Sequence, residues 1–292
     1  MNIERLIRDY LIDVRLRHSD GTYRYNKNHL EHFQSFVLKH GIIDVADVVD
    51  DVIIDYIGHM KKTCENVTIN KNIGCLKRMY TRMHIDFPFL QGIEKLKERK
   101  KECNYLDEES FRKLRKYIRN MPTALQNGIY HRCFLALLAD TGARISEVML
   151  IEKKNVNLER SEILLTSTKT KEDRVVYLSD KVGIPAVSEM MKIKTKHKYL
   201  LHNIEKNRPS NYDDIRYIMK VVKQKLGLKK LHPHMLRHTT ATTLVEAGCD
   251  LESVKTILGH KNIQTTQIYL HLSKKHVKKS YQDNINGLDN QS

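Results

Sequence analysis

The stretch from Leu231 to His271, LHPHMLRHTTATTLVEAGCDLESVKTILGHKNIQTTQIYLH, carries four groups suited to work on a phosphodiester: His234, Arg237, His260 and Tyr269. A phosphodiester already bears one negative charge, and the pentavalent species formed on attack bears more. A guanidinium offers its non-bridging oxygens two parallel hydrogen bonds. A phenol, with an ordinary pKa of about 10, attacks only when its proton has somewhere to go. His234 is the best candidate to take that proton, and His260 can donate to a non-bridging oxygen. His234 and Arg237, three residues apart, share one face of a helix. Gly248 and Gly259 end helices and reverse the chain, which returns the segment after residue 260 toward the segment before 247. Taken singly these are weak signals, since Tyr269 is one of 14 tyrosines and the two histidines are among 15. The weight lies in their order and spacing.

That order resembles the C-terminal signature of the tyrosine recombinases, the phage-integrase family. The residues that carry the resemblance are HPHMLRHTTAT, then LGH, then TTQIYLH with the tyrosine at its usual distance. TGARISE at 141–147 is similar to the family's first arginine motif; the resemblance implies Arg144 as a catalytic arginine and Glu147 as its supporting acid. The loop TSTKTKED is similar to the family's β2–β3 loop and implies Lys169 as the general acid for the leaving 5′-oxygen, with Lys171 and Lys153 as alternatives and Arg174 as a DNA contact. The family's lysine often stands between glycines; here its neighbours are Thr168 and Thr170. By motif the resemblance covers roughly residues 104–280. It reaches the N-terminal region by position and helical pattern only.

Several expectations follow from the family. Tyr269 would become linked to a 3′-phosphate and leave a free 5′-hydroxyl, so that religation needs no ATP, no metal and no other cofactor. The fold would be mainly α with a small antiparallel β-sheet: a four-helix core-binding domain and an α+β catalytic domain forming a C-shaped clamp on double-stranded DNA. Four copies would exchange strands between sites with inverted half-sites, each C-terminal tail docking on a neighbouring subunit, with accessory directionality factors as further partners. The chain begins directly with the four-helix domain, as in the compact Xer-like architecture.

The elements that must position these residues are legible from periodicity. Apolar residues at helical spacing predict helices over 3–17, from Thr22 to near Gly41, over 44–61 with Val49, Val52, Ile53, Tyr56 and Met60 inward, and over 67–84. Thr22 is read as the cap of the second, after a turn at 18–21. Lys71, Arg78 and Arg82 form a basic stripe on the fourth and are read as phosphate contacts. Residues 1–93 form the first domain, the charged run at 94–104 a linker, and 105–292 the catalytic domain. In the latter, helices are expected from Asp107, around Cys133–Ala139, and at about 184–196, 211–226, 235–247, 251–258 and 262–270. The runs at 163–165 and 175–178 read as two antiparallel strands.

Charge agrees with a polyanionic partner. The net charge is +16; residues 1–103 hold 18 Lys/Arg against 15 Asp/Glu, and the remainder hold 33 against 20. A strongly basic second half is suited to nucleic acid. Five scattered cysteines form no C-x-x-C pair, which fits a reducing cytoplasm, and the longest apolar run, Cys133–Ala139, is far too short to span a membrane. Three rivals remain: a catalytically silent DNA-binding regulator with the same clamp, a metal-dependent nuclease using His232, His234, His238 and His260, and a single-subunit type IB topoisomerase with the same chemistry, which relaxation of plasmids lacking any special site would favour. The tyrosine reading predicts that DNA cleavage is indifferent to EDTA, whereas the nuclease reading predicts its loss; a cleavage assay with and without chelator separates them.

Overall fold

A computed structural model describes residues 1–99, 103–123, 126–166 and 173–272, without the side chains of Gln126, His271 and Leu272. The chain divides into two compact units, residues 1–101 and 102–292.

The first unit is helical: α1 (Ile3–Arg17), α2 (Asp20–Lys39), α3 (Asp50–Lys61), α4 (Asn66–Arg82) and the short α5 (Pro88–Gly92). Its core takes Leu6, Tyr10 and Val14 from α1, Leu30 and Phe33 from α2, Ile53 and Tyr56 from α3, and Ile69, Leu76 and Tyr80 from α4. Two buried tyrosine–asparagine pairs tie the helices together. The Tyr10 hydroxyl donates to Asn26 Oδ1 (3.3 Å) and the Tyr56 hydroxyl to Asn72 Oδ1 (3.1 Å), while each amide donates back to its own helix, at Thr22 O and Thr68 O. Each buried polar group thereby recovers the partner it lost from water.

Three boundaries differ from expectation. Ser19, not Thr22, caps α2 by accepting from the Thr22 amide, so Asp20 and Gly21 are already helical and Asp20 sits at the positive end of the helix dipole. The helix expected over 44–61 is broken: Asp44 accepts from the Ala46 amide and nucleates only a 3-10 turn, Val45–Asp47, before α3 starts at Asp50. Val49, expected inward, is the residue before α3 and is 53% exposed. The charged run at 94–104 is not free at its start. Asn70 holds Leu96 through paired bonds to its amide and carbonyl (both 2.9 Å), Asn66 donates to Lys97 O, and Lys77 Nζ donates to Gln91 O and Ile93 O. The segment is laid along α4 as far as Lys97.

The second unit is built on α7 (Gln126–Thr141), whose run Cys133–Ala139 is buried on every side. It packs on α6 (Glu108–Arg119), α9 (Gly183–Met191) and α11 (Pro233–Glu246). The sheet is antiparallel in the order β1 (Val156–Asn157), β2 (Glu162–Leu165), β3 (Arg174–Tyr177). Ile163 opposes Val176 and both are fully buried, so one face of the sheet joins the core while Leu164 and Val175 point outward. The remaining elements are α8 (Ile145–Met149), a two-residue ladder of β4 (His202–Asn203) and β5 (Arg208–Pro209), α10 (Tyr212–Lys225), α12 (Leu251–Leu258) and α13 (Gln264–Leu272). α9 stops at Met191, short of the expected 196. Lys192, Lys194 and Lys196 follow it, and Thr195 Oγ1 accepts from the His197 amide, a local bond that competes with helix.

Because the Cys133–Ala139 run of α7 has no solvent face, Leu135→Ala should lower the stability of this unit by about 2–5 kcal/mol. Leu16→Ala on α1, at a position 82% exposed, should change stability by no more than about 0.5 kcal/mol. Urea unfolding of the two variants checks both.

Candidate active site

α11 starts cleanly because Pro233 occupies its first turn and His232 Nδ1 accepts from the Met235 amide. Its next turns are pinned from several sides. Thr239 Oγ1 accepts from the Leu106 amide and donates to Met235 O, and Thr240 Oγ1 donates to Ala139 O on α7. Arg237 lies between these anchors, almost fully buried, with Nη1 donating to Gly142 O (2.9 Å) and Nη2 to Leu258 O (2.7 Å).

Arg144 precedes α8. Its amide donates to Glu147 Oε2 (2.7 Å), so the acid one turn on closes the start of the helix. Its guanidinium donates to Glu147 Oε1 (3.0 Å) and to Gly259 O (3.2 Å). Arg174, at the start of β3, grips the same carboxylate with both Nη atoms (2.9 and 2.7 Å) and donates from Nε to Ile257 O (2.9 Å). Three successive carbonyls at the C-terminal end of α12, those of Ile257, Leu258 and Gly259, therefore each receive one arginine.

Gly259 is required here twice over. Its φ is +66°, and a Cβ would stand 2.7 Å from Arg174 Nη1. Gly142, at φ +58°, turns its carbonyl to Arg237, and a Cβ there would meet Leu258 Cδ2 at 3.0 Å.

His260 follows the Gly259 turn with Nδ1 2.9 Å from the buried Thr266 hydroxyl. Its ring lies nearly parallel to that of Tyr269, with centroids 6.3 Å apart at 12°. Tyr269 is 1% exposed, and its hydroxyl lies 2.9 Å from His238 Nδ1.

Burial dominates the electrostatics. It pushes the Tyr269 phenol up to about 12, against the pull of Arg237 and Arg144. Burial, then Arg237 and Arg144, push His260 down to about 4, so this imidazole is neutral at neutral pH. Burial and then Arg144 lower Arg237 to about 10, still charged. Burial raises Glu147, but the bond from Arg174, the Arg144 amide and both guanidinium charges outweigh it and leave the carboxyl at about 2. Three guanidiniums against one carboxylate leave a net positive site with a phenol at its edge, an arrangement able to bind a phosphate group.

Arg144, Glu147, Arg237, His260 and Tyr269 thus come together from 125 residues of separation. His234 does not join the tyrosine: it is exposed on the first turn of α11, and the imidazole on the Tyr269 hydroxyl is His238, one turn later on the same helix. Arg174, expected as a DNA contact, turns its side chain inward in this structure. Its side chain is 9% exposed because Glu147 and the Ile257 carbonyl satisfy it. Lys169 and Lys171 fall in the segment joining β2 to β3 and, like the C-terminal tail from 273 on, lie outside the described residues. In the first unit Lys71 is exposed on α4, Arg78 Nη2 lies 3.0 Å from Cys75 Sγ, and Arg82 forks onto Asp13 of α1 at 2.9 Å through both contacts. Nothing in the sequence pairs His238 with a tyrosine 31 positions away; the only local sign is its place beside Arg237 and one turn beyond His234.

Residues 104–276 match the model of the phage integrase family. The probable integrase/recombinase of Acholeplasma phage L2 is 28% identical over 290 residues, covering 96% of this chain and 97% of that protein. The tyrosine recombinase XerC of Staphylococcus haemolyticus is 30% identical over 233 residues, 77% of this chain and 76% of that one. Among solved structures, the XerH site-specific recombinase bound to palindromic difH substrate in a post-cleavage complex superposes with a TM-score of 0.74 at 19% identity, over 89% of this chain and 78% of that one. The Tn1549 transposon integrase in complex with circular intermediate DNA gives 0.73 at 19% identity, over 97% and 99%. The chain belongs to the phage integrase family. Within that family it is a tyrosine recombinase, an enzyme of site-specific DNA recombination.

The depressed carboxyl of Glu147 makes a signed prediction. Its ordinary value of 4.5 falls to about 2 in the folded protein, so its stabilisation is complete above pH 4.5 and disappears as the pH falls through about 2. Glu147→Gln should therefore cost about 3 kcal/mol near neutral pH, with the difference from wild type closing toward pH 2. Urea unfolding of the catalytic unit across a pH series measures it.

Proposed function

We propose that the protein cuts and rejoins duplex DNA through a covalent bond between Tyr269 and a 3′-phosphate. The observation that carries this reading is the convergence of Arg144, Arg237 and His260 beside one buried tyrosine, all fixed by the C-terminal end of α12. Arg144 and Arg237 hold the non-bridging oxygens of the scissile phosphate and offset the charge gained in the pentavalent state. His260 adds a hydrogen bond from its neutral ring. His234, exposed at the start of α11, donates to a phosphate oxygen. Lys169 protonates the leaving 5′-oxygen. The bond to Tyr269 preserves the energy of the phosphodiester, so the 5′-hydroxyl of a second strand can reverse the step without ATP.

Tyr269 is buried, so DNA binding must shift α13 enough to uncover its oxygen. The first unit acts as the core-DNA-binding domain, with Lys71 and Arg78 on phosphates and Arg82 held in reserve by Asp13. Inverted half-sites, a tetramer joined by the C-terminal tails, accessory directionality factors and a cytoplasmic setting complete the reading. No helix among the described residues is long and apolar enough to cross a membrane.

Fragments of the source cell's DNA, incubated with the protein and then denatured in SDS, should yield covalent protein–DNA adducts whose junctions recover one sequence. Tyr269→Phe should yield none. Absence of adducts from wild type would sink the proposal, leaving a DNA-binding protein without strand cleavage.

A further inference from the structure

We infer that His238 is a catalytic residue, the base that takes the proton of Tyr269 when its oxygen attacks phosphorus. The inference rests on the strand-cleavage reading above and assigns the one proton that reading leaves without a destination.

The geometry excludes the other neighbours. Tyr269 is enclosed at rest, and the group within hydrogen-bond distance of its hydroxyl is His238 Nδ1, 2.9 Å away. His260 is stacked against the face of the phenol ring, and its Nδ1 is occupied by Thr266. His234 is exposed at the start of α11. Arg237 is committed to two carbonyls and has no acceptor atom.

His238 is also held still. The residue before it is fixed by Gly142 O and Leu258 O, and the residue after it by the Leu106 amide and Met235 O. A base fixed at hydrogen-bond distance before reaction meets the first requirement of proton transfer, which is geometry. The charged and titratable groups around the pair are His232, His234 and Arg237 from α11 and its cap, His260 and Tyr269 from the return segment, and Arg144 and Cys103, which act on the phenol. Burial, then His234 and Arg237, disfavour the imidazolium, so the ring is neutral near neutral pH. In the tautomer with its proton on Nε2, the Nδ1 lone pair accepts the tyrosine O–H.

The step balances. As the Tyr269 oxygen bonds to phosphorus, its proton moves to His238 Nδ1. The bond from phosphorus to the 5′-oxygen breaks, and that oxygen takes a proton from the general acid. The imidazolium forms beside a phosphorane that has gained negative charge. In religation the 5′-hydroxyl surrenders its proton to the same acid, the tyrosine–phosphorus bond breaks, and Tyr269 recovers its proton from His238.

The test uses the full chain and a nicked duplex bearing the sequence recovered from the adducts, read as single-turnover cleavage. His238→Asn should bind this duplex within about twofold of wild type and cleave it about 10²–10⁴-fold more slowly. Wild-type cleavage should fall as the pH drops below neutral, because the base must be unprotonated, and the variant should lose that acidic limb. His238→Ala should regain part of its rate with added imidazole. On a duplex with sulfur at the 5′-bridging position, which leaves without an acid, Lys169→Ala should recover and His238→Asn should stay slow. Should Asn disturb DNA binding, His238→Gln is read in its place. Cleavage by these variants at the wild-type rate would show His238 to be only a resting partner of the phenol. Slow cleavage with the acidic limb intact and no imidazole rescue would also overturn the inference. Absence of adducts from wild type is a different failure, that of the strand-cleavage reading itself.

Discussion

Three arginines converge on the last turn of α12, and the site exists because that turn can hold them. The C-terminal carbonyls of a helix have no partners within it and carry the negative end of its dipole. Here those of Ile257, Leu258 and Gly259 are met in turn by Arg174, Arg237 and Arg144. Like charges this close repel, and only fixed acceptors keep them together. Glu147 contributes the remaining negative charge by bridging Arg144 and Arg174. The result is a set of guanidiniums already oriented, with excess positive charge that a phosphate would neutralise. Preorganised charge of this kind needs no rearrangement at the moment it acts.

The same turn places the aromatic half of the site. Gly259 reverses the chain, His260 follows it directly, and α13 brings Tyr269 back against His260 on one side and His238 on the other. One short segment therefore sets both the anion-binding groups and the position of the phenol. The two halves have opposite protonation demands: Glu147 is kept charged by its arginines against burial, while burial keeps Tyr269 and His260 neutral.

Long elements with sustained periodicity were legible in the sequence, and short or context-dependent ones were not. α1 and α4 show their apolar stripes over four turns or more, and the short apolar runs around Ile163 and Val176 mark two strands. β1, β4 and β5 are two residues each, too short for any period to register. The break before α3 depends on Asp44 turning its side chain to its own backbone, a competition that a hydrophobic pattern does not record. Within the site, Arg144, Arg237, His260 and Tyr269 lie in recognisable spacing. Arg174 looked like a loop cation because its partners, Glu147 and Ile257, lie 27 and 83 positions away. His238 was obscured in the same way, because what singles it out is a distance in space to a residue on another helix.

The bonds that define the arginine cluster span 83, 95 and 115 residues of chain. Long loops are costly to close before the contacts that reward them are made. A nascent or partly opened chain therefore has no rudimentary version of this site: the arginines are scattered until α12 has docked, and α12 and α13 are made late in synthesis. For an enzyme of DNA recombination, such all-or-none assembly acts as a safeguard, in that competence to act arrives only with the finished fold.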